Sequence, residues 1–250
     1  MKKPLLLLLI LGCYSQSSMA VTTFTMANLA TGGLAVAQTS FRAISEDFGA
    51  ALSYKAVTPA AALGITGFDI GLEVSGTDMA KSSAAWTTLT GTSAPSTLPM
   101  AKLSVAKGLP FGIDVSGFYT AVPTTDIKVT GAALRYAILE GGALEPALAV
   151  RAAMTKLTGI SEFSFSTKSV DISFSKGFIG FTPYIGAGQV WVDSSTSNAT
   201  LTTLGLTNET FGQSKVFAGI NLNLGLPNFA IEADSTGEIA TYSVKLGLRW

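Results

Sequence analysis

The chain contains no histidine, and its single cysteine, Cys13, falls within the first twenty residues. Histidine is the side chain whose ordinary titration lies near neutral pH. General-base chemistry here would need a strongly shifted carboxylate or lysine, and no constellation of that kind stands out. Zinc and other transition metals lose their usual ligands, and no Asp-x-Asp-x-Asp run offers a calcium loop. The expectation is a protein that is not an enzyme and carries no cofactor or metal. Charge is also scarce, at 13% of residues, against roughly 25% in a typical soluble domain. Mean hydropathy is nevertheless +0.44. After residue 20 no apolar run approaches the roughly 18 residues of a membrane-spanning helix. An apolar chain without apolar runs must spread its oily residues thinly, as alternation over many strands does.

The first residues read as a secretory signal. Lys2 and Lys3 precede an apolar block over 5–11, and a polar stretch ends in Ser18-Met19-Ala20, predicting cleavage near Ala20 and a mature start at Val21. Cys13 follows Ile10-Leu11-Gly12, which resembles a bacterial lipoprotein cleavage site and stands as an alternative. Cleavage after Ala20 would leave no cysteine, excluding a disulfide framework. Loss of Lys2 and Lys3 would leave 14 basic residues against 16 acidic, which favours neither nucleic acid nor an anionic surface as partner.

The last nine residues alternate without a break. Tyr242, Val244, Leu246, Leu248 and Trp250 form an oily parity; Ser243, Lys245, Gly247 and Arg249 form a wet one. Nothing follows to cover the oily face, so lipid is the expected solvent for it. The same rule, read backwards, recurs in nine earlier segments. Phe229, Ile231 and Ala233 oppose Glu232 and Asp234; Val216, Ala218, Ile220 and Leu222 oppose Lys215, Gly219 and Asn221. Tyr184, Val190 and Val192 are assigned outward, which leaves Ile185 and Trp191 inward and weakens that strand's pattern. Val170, Ile172 and Phe174 oppose Asp171; Val150 and Met154 oppose Arg151; Leu134 and Tyr136 oppose Arg135. Val115 and Tyr119 oppose Asp114, Leu103 and Val105 oppose Lys102, and Ile70, Leu72 and Val74 oppose Asp69 and Glu73. Gly186 and Gly188 sit within a strand, where close backbone packing explains them better than a phosphate cradle.

Connections near 107–111, 140–144, 176–180 and 225–228 are tight and rich in turn residues, whereas those near 77–98, 121–127, 156–163, 194–210 and 236–240 include the longer, polar ones. Short turns on one rim and long loops on the other predict an antiparallel transmembrane β-barrel of about ten strands over 63–250. Residues 21–62 break the pattern. Phe41, Ile44, Phe48 and Leu52 recur at helical spacing, Ser45 with Glu46 and Asp47 resembles a helix start, and Pro59 closes the segment. This predicts an amphipathic helix over about 40–56 at the periplasmic end, plugging the lumen or packing beneath it. The alternative is a strand over 49–57 paired with another in 21–40, giving twelve.

Signal, alternation, rim asymmetry and terminal aromatic strand together resemble a Gram-negative outer-membrane β-barrel, over essentially the whole mature chain. The resemblance implies outer-membrane lipid and the barrel-assembly machinery as partners, with Tyr242, Val244, Leu246, Leu248 and Trp250 as the assembly signal. That signal usually has a glycine about five residues before the final aromatic; here Lys245 holds the place. Glu46-Asp47, Tyr54 and Pro59-Ala60 are similar to the N-terminal hatch of long-chain fatty-acid channels, which are longer chains with more strands. Known outer-membrane barrel enzymes use histidine, which this chain lacks.

The inward parity collects Lys102, Arg135, Arg151, Lys215, Lys245 and Arg249 against Asp69, Glu73, Asp114, Asp171, Glu232 and Asp234. A balanced interior predicts ion pairs filling a narrow lumen. Three readings remain open: a passive channel for small or hydrophobic molecules, a closed structural or surface-interaction barrel whose loops, including Trp86 and 194–210, meet an external partner, and a secreted soluble β protein. Neither cargo nor oligomeric state is legible.

Overall fold

A computed structural model describes residues 25–250 apart from 92, 94, 95, 124, 143 and 144; the signal segment and Cys13 lie outside the described residues. Ten antiparallel strands close into a single barrel: β1 (Phe68–Asp78), β2 (Thr97–Gly108), β3 (Ile113–Ala121), β4 (Lys128–Glu140), β5 (Ala147–Thr158), β6 (Phe163–Ser175), β7 (Phe181–Thr196), β8 (Glu209–Asn223), β9 (Pro227–Thr236) and β10 (Ile239–Arg249). Each strand pairs with its neighbour in sequence, and β1 pairs with β10, so no edge is left unpaired. Closure reaches the last residue. Phe68 and Trp250 exchange both backbone hydrogen bonds, at 2.9 and 3.1 Å, and their rings stack at 5.2 Å. The strand count is ten, and the region considered for two further strands is helical as far as Leu52.

The outer wall is an apolar belt. Ile70, Leu72, Val74, Leu103, Val105, Leu134, Tyr136, Ile172, Val216, Ile231, Val244, Leu246 and Leu248 all face outward and are exposed. An apolar surface of this extent has no counterpart on soluble monomers and matches a hydrocarbon solvent. Among the described residues no helix is long and apolar enough to cross a membrane; the crossing is made by strands.

Strand β7 corrects the expected parity. Ile185 and Trp191 face out at 59% and 45% exposure, while Tyr184, Val190 and Val192 are buried inside. The inversion has a packing reason. Tyr184 lies over Gly219 of β8, and Phe217 of β8 lies over Gly186 of β7, each pair directly opposite in register. A Cβ at either glycine would collide with the opposing ring. The glycines therefore make room for inward aromatics, a cross-strand device that a hydrophobicity pattern reads backwards.

Residues before β1 fill the barrel. A 3-10 turn (Met26–Gly32) leads into helix α1 (Gly33–Leu52), longer at its start than the expected 40–56. Two loop helices, α2 (Ser83–Thr90) and α3 (Ala199–Leu204), belong to the long connections, and the 3-10 turn packs against both. The helix therefore starts at the long-loop rim and runs inward, rather than sitting at the short-turn mouth. Residues 53–67 continue it down the lumen to Phe68 at the opposite rim. Spacing alone reported an oily face for this helix, but not which end of the barrel would receive it.

Candidate functional site

The interior has two halves of different chemistry. Beneath the long loops, one face of α1 supplies Phe41, Ile44, Phe48 and Leu52, each no more than 6% exposed. They meet Phe163, Phe165, Val190 and Val192 from the wall and Trp86 and Leu89 from α2. Phe41 meets Phe163 edge-on at 6.1 Å, and Phe48 meets Trp86 at 5.2 Å and Phe165 at 5.5 Å. Burying each such ring contributes about 1.5–3 kcal/mol. Strand β6 shows the change of chemistry along one inward face, from Phe163 and Phe165 through Thr167 and Ser169 to Asp171 and Ser173. The inward parity is polar over only part of its length.

Within this oily half stands one acid. Asp47, 2% exposed, accepts a hydrogen bond from Trp86 Nε1 at 2.5 Å and another from Ser82 Oγ. Burial is the main influence on its carboxyl and raises its pKa above the usual range, opposed by those two hydrogen bonds. The arrangement ties α1 to the first long loop. It also corrects the role expected of Trp86, which is 2% exposed and points into the barrel instead of toward an external partner. Nearer the rim, Arg42 bridges Glu46 at 2.7 Å and Glu209 at 3.0 Å. Ser45 and Ser194 hydroxyls lie 2.6 Å apart.

The other half holds the twelve charged residues drawn from the inward parity. Glu73 pairs with Lys102 at 2.6 Å, Asp69 with Lys245 at 2.7 Å, Asp114 with Arg135 at 2.5 Å and Asp171 with Arg151 at 2.9 Å. Three of these pairs sit directly opposite in register, and Asp69 reaches diagonally to Lys245 because Lys102 has already engaged Glu73. Asp234 takes a partner the strand pattern omits: Lys55, from the segment after α1, at 3.5 Å. Glu232 is buried with Lys215, Asp234 and Arg151 among the charges acting on it.

Three cations of the wall also grip the plug. Lys215 Nζ donates to the Tyr54 carbonyl at 2.8 Å, and Arg135 donates to the carbonyls of Pro59 at 2.6 Å and Ala61 at 2.9 Å. Arg249 donates to Thr58 Oγ1 at 2.9 Å. In return Ala60 N–H donates to Ser175 Oγ at 3.1 Å and Leu63 N–H to Asp114 Oδ1 at 3.1 Å. Between these grips Val57 is fully buried with φ at +46°. A β-branched residue in that region costs about 1–3 kcal/mol, and the contacts on either side hold it there.

Closed ladder, lipid belt and rim asymmetry agree. The molecule is a barrel of the outer-membrane type. No protein-family profile and no curated protein sequence matches the chain. Among solved structures, the N-terminal β-barrel domain of Pseudomonas aeruginosa OprF aligns over 73% of this chain and 97% of its own, at 10% identity and a TM-score of 0.37. The KdgM porin aligns over 74% and 99%, at 7% identity and a TM-score of 0.37. Yersinia pestis Ail, solved with the heparin analogue sucrose octasulfate, aligns over 74% and 97%, at 11% identity and a TM-score of 0.27. These likenesses are of general shape, and the architecture rests on the barrel's own closure and surface. The similarity of 43–60 to a fatty-acid channel hatch finds no counterpart among them.

Lys55 and the Asp47–Trp86 contact were outside the reach of strand parity, because their partners lie on different elements. A lysine in the polar gap between a helix and Pro59 was the one available signal for the first.

Proposed function

We propose that this is a non-enzymatic outer-membrane barrel held closed by its own N-terminal segment, whose working surface is the outer rim. The observation that carries the reading is the filled lumen: α1 occupies the half beneath the long loops, and residues 53–67 occupy the charged half down to β1. A wall that bonds its plug at Tyr54, Thr58, Pro59, Ala60, Ala61 and Leu63, and spends its charges on paired contacts, supports a lumen closed to solute. The 3-10 turn, α2 and α3 pack together across that rim and form one continuous platform, with Leu34 and Val36 exposed beside it. The absence of histidine supports the non-enzymatic half of the reading.

Single-channel recording on refolded full-length protein tests it. The expected trace is flat, and a steady conductance at low voltage would overturn the closed reading. A gated conduit is the second reading, favoured by Lys55–Asp234, since one ion pair joins the plug's own side chain to the wall's charge network. It predicts brief openings when that pair is removed.

A further inference from the structure

The charged half of the lumen contains six acids, Asp69, Glu73, Asp114, Asp171, Glu232 and Asp234, which the wall alone would match with six cations. Lys55, brought in by the plug, makes seven. Five acids have a cation within 4.0 Å, and Glu232 is left with Lys215 as the first of the charges acting on it. Among the described residues Lys215 and Arg249 have no carboxylate within 4.0 Å; Lys215 is spent on the Tyr54 carbonyl, whereas Arg249 donates to the hydroxyl of Thr58. Asp69 stands directly opposite it in the β1–β10 register and Asp114 acts on it as well, but each is already engaged, by Lys245 and Arg135, and Arg135 adds repulsion. A guanidinium has five N–H donors, so most of Arg249's capacity is unspent.

Arg249 also faces space. A cavity of about 270 Å³ opens at the short-turn mouth beneath the plug. Its walls include Arg249, Thr182, Asn221 and Asn223, Pro59 of the plug forms part of its boundary, and two carboxylates, Glu140 from β4 and Glu145 from the following turn, stand among its lining residues. We propose that this mouth binds a small monoanion, of carboxylate or phosphate type, on the Arg249 guanidinium. The planar fork matches two oxygens of such a group, and the asparagine amides add neutral donors. Glu140 and Glu145 together select against ligands of higher negative charge, which confines the site to a monoanion held on the guanidinium itself. The site would be reached from the periplasmic side and does not depend on whether the plug moves.

The test is calorimetric titration of refolded full-length protein in micelles with sodium acetate and with inorganic phosphate, at constant ionic strength. Saturable binding of at least one probe is expected, weakened tenfold or more in Arg249→Gln and to a smaller extent in Arg249→Lys, which keeps the charge but not the fork. Because Arg249 lies on the closing strand, Asn223→Asp supplies a second variant that places a negative charge in the mouth away from the seam; it should also weaken binding tenfold or more. Absence of saturable heat with both probes, or equal affinity in native protein and in heat-modifiable, folded Arg249→Gln or Asn223→Asp, would overturn the assignment. Loss with Arg249→Lys as complete as with Arg249→Gln would overturn the charge-based account.

Discussion

Replacing Lys55 by methionine should unseat the plug. Lys55 is 2% exposed; its Nζ lies 3.5 Å from Asp234 Oδ1, donates to the Ala50 carbonyl, and reaches Ser53 Oγ at 3.2 Å. Methionine fills most of the volume but leaves Asp234 buried with, among the described residues, the Thr236 hydroxyl as its hydrogen-bond donor, at 3.2 Å. Removing one partner of a buried ion pair costs about 3–5 kcal/mol, because the other charge stays without compensation. At about 1.4 kcal/mol per tenfold, the population with the plug unseated should rise roughly 150- to 5,000-fold. Amide hydrogen exchange over 44–56 in micelles reads that population directly. The double variant K55M/D234N removes the stranded charge and should recover at least tenfold of the lost protection. Exchange within threefold of native for K55M, or a double variant no better protected than the single one, would refute the argument that this pair seats the plug.

Three further outcomes follow from the same geometry. Thr31 is exposed at the long-loop rim and Phe111, 87% exposed, at the short-turn rim, so Thr31→Cys should react with a membrane-impermeant maleimide on intact cells while Phe111→Cys reacts only after permeabilisation; the opposite pattern would invert the orientation. Asp47 has a carboxyl raised by burial, so its protonated form is favoured by folding: the stabilisation is fully present below its unfolded pKa, near 3.8, and is lost as pH rises through the raised value. The protection of 83–90, taken relative to the intrinsic exchange rate at each pH, should therefore rise on acidification through that window, and Asp47→Asn should abolish that rise. Gly186→Ala must displace the Phe217 ring, an overpacking cost of about 1–3 kcal/mol visible as a lower urea midpoint; an unchanged midpoint would mean the ring has room to move.

Much of this barrel is written locally. Alternation at period two, as in Ile70, Leu72 and Val74 against Asp69 and Glu73, depends only on the geometry of a strand and on having different solvents on its two faces. Turn chemistry at 107–111 and 225–228 likewise needs no distant partner. The chain by itself therefore determined an antiparallel barrel, the ten segments, the asymmetric rims and the inward charges. Strand β7 failed because the sizes of Gly186 and Gly219 matter only against Phe217 and Tyr184 across the register. Which way α1 points into the barrel, which acid receives Lys55, and which cation is left at the mouth were decided by tertiary structure alone. Each is a choice among partners far apart in sequence, and burial in a closed lumen, where every charge must find a partner or a ligand, makes that choice.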